Sequence, residues 1–287
     1  MLTNRVKNLL DRGGLLPVIS PVMSGLARFH GHGLSRIFQD EDVWIHRTSS
    51  GYFAYPHPYL RLDLARLDEI ARTNFCWGYM PQPGDVVLDI GAGVGEETLT
   101  FSRAVGPDGK VISVEAHPRT FRCLEKLVRY NQLRNVHALH LAATEPCCSV
   151  ATIEDSAEYL GNRLNTVGGL AVPAATVDAI SGKLAPGRID FLKMNIEGAE
   201  RVAIQGMTET LKRTGVVCVS CHDFLAEATG DEELRTKETV RHFLEQRGFE
   251  VVTRPEAGLS PYLRDQIWGY NVYCHSERSE ESLSTPG

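Results

Sequence analysis

The sequence predicts a doubly wound, mostly parallel α/β sheet preceded by an N-terminal α+β extension. Three observations lead there. From residue 86 onward, short apolar runs alternate with segments of helical periodicity, the rhythm of strand–helix–strand units. The first run, Val86 to Ile90, is apolar throughout except for Asp89, as a strand covered on both faces must be. That run ends directly in a glycine-rich turn, Gly91-Ala92-Gly93-Val94-Gly95, with a helix expected immediately beyond it.

The elements follow in order. Residues 1–80 form the extension. Met1 to Arg12 is expected as a short helix ended by Gly13-Gly14, and Val43 to Thr48 and Gly51 to Tyr55 as two short strands around Ser49-Ser50. Leu60 to Phe75 places Leu60, Leu64, Leu67, Ile70 and Ala71 at helical spacing, and the turn Pro81-Gln82-Pro83-Gly84 closes the extension. The domain over residues 81–275 then runs from the Val86 strand to a helix from about Gly95 to Val105 and a strand from Val111 to Val114. A helix with Phe121, Leu124, Leu127 and Val128 on one face precedes a third strand, Val136 to Ala142. Further on come a strand Ile189 to Met194, a helix Ala199 to Arg213 with Gly215 as its stop, and a strand Val216 to Cys221. A helix turning Val240, Phe243 and Leu244 inward ends at Gly248, and strands Phe249 to Val252 and Asn271 to Cys274 complete the sheet. Residues 276–287, rich in Ser and Glu, have nothing to bury and are expected to be a disordered tail.

Composition narrows the function. The chain has 287 residues, 43% hydrophobic and 23% charged, so it can bury a proper core without staples. Thirty basic against thirty-six acidic residues give a net charge of −6, which disfavours a nucleic acid partner, since polyanion binding rests on clustered Lys and Arg. The seven cysteines are scattered and mostly inside apolar runs, which points to thiols in a reducing compartment and hence a cytoplasmic protein. From Gly13 to Ala27 no charge appears, but Pro17 and Pro21 interrupt that stretch and it is too short to span a bilayer.

The stretch VVLDIGAGVGEET, Val86 to Thr98, carries the first chemistry. Gly91, Gly93 and Gly95 let the backbone turn sharply and approach a ligand, with Glu96 and Thr98 opening the helix that follows. The spacing is G-x-G-x-G, not the G-x-G-x-x-G of dinucleotide binders. Asp89, two residues before the first glycine, suits a ligand with a cationic amino acid part better than a pyrophosphate. Glu115 ends the next strand, twenty residues after Gly95, where a carboxylate can accept both hydroxyls of an adenosine ribose. The loop and Glu115 together look like an S-adenosylmethionine site, with Ala142 and Ala143 expected near the adenine.

A second constellation is RIDFLKMNIEGAE, Arg188 to Glu200. Here the chain resembles the FkbM family of methyltransferases, whose pattern reads roughly K-x-D-x-E-G-x-E. Lys193, Glu197, Gly198 and Glu200 match, while Asn195 stands where the family usually has Asp. The resemblance covers about residues 80 to 275 and takes in VVLDIGAGVG, the Glu115 strand end, Asn131, Asn135-Val136 and the CHDF that follows the fifth strand. It implies a Rossmann-like sheet of the class I methyltransferase type. It also implies S-adenosylmethionine as cofactor and methyl transfer to a hydroxyl of a sugar, polyketide or similar small metabolite. A neutral amide is a poor ligand for a hard divalent cation, so Asn195 weakens any metal role and turnover is expected to need none. Asn195 can hydrogen-bond either the methionine part or the acceptor hydroxyl.

CVSCHDF, residues 218–224, contains C-x-x-C-H, the pattern that attaches a c-type haem. In a buried strand, however, Cys218 and Cys221 are three apart and point to opposite faces, so they cannot clasp one ligand. His222 and Asp223 fall past the carboxyl end of that strand, where open α/β sheets bind ligands. His222 is accordingly the expected base for the acceptor hydroxyl, oriented by Asp223 or Glu197, with Glu197 itself as the alternative base. Two other functions remain open on sequence alone. One is a nicotinamide-dependent oxidoreductase, disfavoured by the glycine spacing and Asp89. The other is a catalytically silent methyltransferase-like binding domain, kept open by Asn195.

Overall fold

The computed structural model describes residues 16–29, 34–156, 161–164, 168–255 and 259–273. The helix expected over Met1 to Arg12 and the tail 276–287 lie outside these residues. The described chain begins with a helix Leu16–Phe29 and a three-stranded antiparallel sheet, β1 (Leu34–Asp40), β2 (Val43–Thr48) and β3 (Gly51–Tyr55). The sequence reading missed β1, for a physical reason. A register shift between Leu34 and Arg36 puts the buried Leu34 and Ile37 three residues apart, which hides the two-residue period of a strand. Leu60 to Phe75 is helical only from Leu64, as Leu64–Ile70 followed by a π-helical turn, Ala71–Phe75.

The principal sheet has seven strands. In chain order they are β4 (Val86–Ile90), β5 (Lys110–Glu115), β6 (Val136–His140), β10 (Ile189–Met194), β11 (Thr214–Ser220), β12 (Phe249–Val252) and β13 (Gln266–Asn271), and in space β12-β13-β11-β10-β4-β5-β6. The central strands run parallel, and β13 is antiparallel to both its neighbours. A small sheet of β7 (Ala142–Ala143), β8 (Val150–Ile153) and β9 (Leu170–Ala175) follows β6 in the chain.

Side chains alternate across the principal sheet and feed two cores. Leu88, Ile90, Leu192, Met194, Val217 and Val219 pack with Val240, Phe243 and Leu244 of the helix Lys237–Glu245. Val87, Phe191, Val216 and Cys218 face the other side with Phe101 and Trp268. Cys218 and Cys221 therefore belong to different cores, on opposite faces, as strand geometry requires.

The extension shares a third core with the helices Glu96–Val105 and Pro118–Tyr130, in which Ile37, Trp44 and Phe53 meet Leu99, Cys123 and Leu127. Asn131 fastens β3 to this layer, since its Oδ1 accepts from Tyr52 N at 2.9 Å and its Nδ2 donates to Tyr52 O at 2.7 Å. Asn135 does the same inside the domain, donating to Ser102 O and Gly106 O at 2.9 and 2.8 Å. No helix among the described residues is long and apolar enough to cross a membrane.

Three expectations need correction. The third strand ends at His140, and Ala142–Ala143 pairs with β9 instead. The expected helix 199–213 is three short pieces, Glu200–Ala203, Ile204–Gly206 and Thr208–Leu211, and Gly206 packs so close to Thr144 that a Cβ would lie 2.4 Å from its carbonyl oxygen. Gly215 is then not a helix stop but a residue of β11. The last strand occupies Gln266–Asn271, not Asn271 to Cys274; a polar first residue and Gly269 against Phe249 obscured it.

Candidate active site

The strand order reverses between β4 and β10, because the chain leaves β4 toward β5 and later returns to β10 on the other side. A cleft opens at the carboxyl ends of the strands at such a switch point. Its lining includes Gly91, Gly93, Glu115, His117, Ala143, Asn195 and Glu197.

The glycine loop is pinned from behind. Gly91 N and Ala92 N both donate to Val114 O, at 2.9 and 3.0 Å. Gly91 has φ +76°, and a Cβ there would lie 1.9 Å from the carbonyl oxygen of Asn195, so only glycine lets the two strand ends approach. Glu115 holds the front of the loop, where its carboxylate accepts from Gly93 N at 2.9 Å and from His117 N at 2.8 Å. Burial pushes its carboxyl up to about 7, against the pull of those two hydrogen bonds. His117, which opens the next helix, also lines the cleft, 3.3 Å from Asp155.

Asp89 does not face this cleft. It is fully buried, with one oxygen 2.9 Å from Lys193 Nζ and the other 3.0 Å from Thr98 Oγ1. Lys193 Nζ also donates to Gly91 O at 2.7 Å and lies over the Phe75 ring. Asp89 thus braces the loop from inside the sheet, outside the lining of the cleft. Thr98 belongs to the same brace. Gly95 and Ala142 are likewise outside the lining; Gly95 lies against Leu124, and Ala142 packs in the small core under β8 and β9. Glu96 accepts from Tyr55 Oη of the extension at 2.5 Å, and burial beside Glu97 pushes its carboxyl up to about 7.

On the β10 side, the turn after Met194 carries Asn195, Ile196, Glu197 and Gly198. Asn195 Oδ1 is buried without a hydrogen-bond partner in the chain, an unmet acceptor on a side chain that lines the cleft. Glu197 adopts φ +55°, a left-handed conformation uncommon for a residue with a Cβ. Such strain persists where the surroundings over-determine it. Those surroundings are a chain of three side chains. Glu200, fully buried, accepts from His222 Nδ1 at 2.9 Å, from Gly198 N at 3.2 Å and from Thr236 Oγ1 at 3.2 Å. The other nitrogen of His222 lies 3.4 Å from Glu197 Oε2.

His222 is therefore no free base. The two carboxylates, Glu200 foremost, work against burial and push the imidazole up to about 10, and both of its nitrogens face a carboxylate oxygen. Both carboxylates favour its charged form, which runs against the expectation that it removes a proton near neutrality. Asp223 does not orient it either; Asp223 accepts from Thr236 N and Lys237 N at the start of the helix Lys237–Glu245. Glu197, held below the usual carboxylate range by His222 despite burial, stays ionised and lines the cleft.

Sequence reasoning had matched Lys193 and Glu200 to a motif without seeing their work. The signal was present: two charged residues inside or beside an apolar strand require internal partners.

A seven-stranded sheet of this order, with one antiparallel strand and its cleft at the switch point, is the Rossmann-like fold of class I methyltransferases. The family model described as the methyltransferase FkbM domain matches residues 89–251. The chain belongs to the FkbM family of S-adenosylmethionine-dependent methyltransferases. Among solved structures it is similar to the methyltransferase FkbM from Methylobacillus flagellatus, at 16% identity and a TM-score of 0.49, over 74% of this chain but only 51% of that one. The chain thus spans about half of that protein's length. It is also similar to an S-adenosylmethionine-dependent methyltransferase from Aquifex aeolicus (16% identity, TM-score 0.43, 74% of this chain and all of that one). A third is the fibrillarin of Aeropyrum pernix with natively bound S-adenosylmethionine (15% identity, TM-score 0.43, 83% and 99% covered). No curated protein matches the sequence.

Proposed function

We propose that the chain methylates a hydroxyl oxygen of a small metabolite, with the cofactor in the cleft at the β4–β10 switch point. The observation that carries this reading is the opposition of two preformed walls: the Gly91–Gly93 backbone with Glu115 on one side, Asn195 and Glu197 on the other. Glu115 takes the ribose hydroxyls, Ala143 and Leu141 flank the adenine, and the unmet Asn195 Oδ1 takes a donor from the methionine part or the acceptor. S-adenosylmethionine supplies a methyl group on a sulfonium, so that a C–S bond breaks as the new O–C bond forms. The chain's own task is alignment of the acceptor oxygen and disposal of its proton.

Glu197 receives that proton in this reading and passes it to water. A carboxylate with a lowered pKa is a weak base, but it suffices as an acceptor late in the transfer, when the oxygen has become strongly acidic. His222 and Glu200 act as positioning residues that keep Glu197 ionised and aimed. The buried thiols Cys76, Cys123, Cys218 and Cys221 support a reducing, cytoplasmic setting.

Isothermal calorimetry with S-adenosylhomocysteine tests the cofactor assignment. Glu115→Ala removes an acceptor of charge-assisted hydrogen bonds worth ~1.5–3 kcal/mol, so affinity should fall roughly ten- to a hundredfold. Unchanged affinity in that variant, or tight binding of a nicotinamide dinucleotide instead, would overturn the reading.

A further inference from the structure

Among the described residues, Cys76, Cys123, Cys218 and Cys221 are buried, whereas Cys147 and Cys148 are exposed. Burial also keeps the first four as unreactive thiols. It pushes Cys76 and Cys123 up to about 12 and raises Cys218 and Cys221 as well. Accessible sulfur in the described chain is thus concentrated in one adjacent pair.

That pair sits on a short loop pinned at both ends. β7 leads in through Thr144, whose N donates to Ala175 O at 3.1 Å. The loop leaves toward β8 through Ser149, whose O accepts from Ala174 N at 2.9 Å. Both ends are therefore tied to successive residues of β9. Between them Cys147 adopts φ +73°, the conformation of the third residue of a type II turn, with Pro146 in the favoured second place. A Cβ at that third place carries strain that glycine would avoid, and the residue that carries it here is a thiol. The turn matters for the pair. In an extended strand consecutive side chains point to opposite faces, so neighbouring thiols could not reach one atom. A left-handed residue breaks that alternation.

Two thiols so placed favour a bridging atom over a direct bond. The peptide between them is trans, which sets their Cα atoms about 3.8 Å apart, short of the ~4.4–6.8 Å that a disulfide usually spans. A large thiophilic atom inserted between the sulfurs lengthens the path and relieves that misfit. The described residues hold no group of three or more His, Cys, Asp or Glu that could complete a metal site. A four-coordinate zinc site is therefore not built here. A trivalent arsenical with one organic substituent needs two sulfurs and nothing more.

We propose that Cys147 and Cys148 form a dithiol site for monosubstituted trivalent arsenicals, R–As(OH)₂, outside the cofactor cleft, whose lining includes neither residue. The step is redox-neutral. Two As–O bonds break and two As–S bonds form, each thiol proton leaves with a hydroxide as water, and arsenic stays trivalent. Phenylarsine oxide, which water converts to that dihydroxide, is titrated into the full folded chain. Mass spectrometry counts the bound arsenical while a disulfide reagent counts the thiols left free. One arsenical should bind per chain with loss of two thiols, and 2,3-dimercaptopropanol should remove it where an equal concentration of a monothiol does not. Cys147→Ser and Cys148→Ser should each weaken binding ~10²–10⁴-fold, because the thiol that remains loses the advantage of its tethered neighbour. Cys274→Ser should bind like the parent. Both exposed positions tolerate serine, and circular dichroism matching the parent checks that each variant is folded. The proposal is overturned if either variant at 147 or 148 binds like the parent, if Cys274→Ser loses the arsenical, or if binding appears only once urea has unfolded the chain.

Discussion

Two buried charge clusters arise from one stretch of chain, Lys193 to Glu200, and they differ in how they end. Lys193 and Asp89 are each at most 1% exposed, and every partner they have is internal: each other, Gly91 O and Thr98. The second cluster, Glu200–His222–Glu197, is closed at Glu200, which is fully buried, and open at Glu197, whose side chain is 27% exposed and lines the cleft. A charge pair closed at both ends is a strut. It ties β4 to β10 and carries the glycine loop on top. A chain open at one end transmits control of ionisation from the interior to an oxygen that a ligand can reach.

The largest expected effect falls on the open end. Glu197→Gln keeps shape but removes the charge and, in the proposed reaction, the proton acceptor, so the methyl-transfer rate should fall ~10²–10⁴-fold with S-adenosylhomocysteine affinity nearly unchanged. A fall below tenfold would reduce Glu197 to a wall of the pocket and blur the contrast between the clusters.

The closed end should answer in stability. Lys193→Met strands Asp89 in the interior with no counter-charge, which costs roughly 3–5 kcal/mol in urea unfolding. Adding Asp89→Asn should recover part of that loss. A cost below about 1 kcal/mol for the single variant would mean that the pair is no strut.

Protonation sharpens the comparison further. The His222 imidazole rises from 6.5 when unfolded to about 10 when folded, because Glu200 and Glu197 flank it. Its stabilisation is therefore fully present below pH 6.5 and is lost as pH climbs through about 10. Unfolding free energy should decline over that window in the parent, and the decline should flatten in His222→Gln. Equal slopes in both proteins would show that the imidazole is not held as a cation.

Two smaller effects concern the opposite wall. Glu115, raised to about 7, must be ionised to accept both ribose hydroxyls, so S-adenosylhomocysteine affinity should rise ~tenfold from pH 6 to pH 8 and level off above. A pH-independent affinity would remove Glu115 from the ribose. The smallest expected effect is none at all: a chelator should leave turnover unchanged, since Asn195 is a poor ligand for a hard cation. Loss of turnover restored by Mg²⁺ would contradict that.

The local periodicity of the chain determined much of this protein by itself. Apolar runs bounded by glycines and helical spacing placed β4, β5, β10 and β12 within a residue or so, because each is decided by neighbours in sequence. The loop Gly91 to Gly95 and the strand-end Glu115 were legible for the same reason. Tertiary structure decided what depended on distant partners. β1 was hidden by its register shift, and the helix after Ala199 gave way to short pieces where Gly206 packs against Thr144. Asp89 turned inward because Lys193, 104 positions away, offered its ammonium within 2.9 Å. His222 met two carboxylates from the chain after β10, one at each nitrogen, and they favour its charged form. Charge and burial are properties of a surrounding, and a surrounding exists only once the chain has folded back on itself.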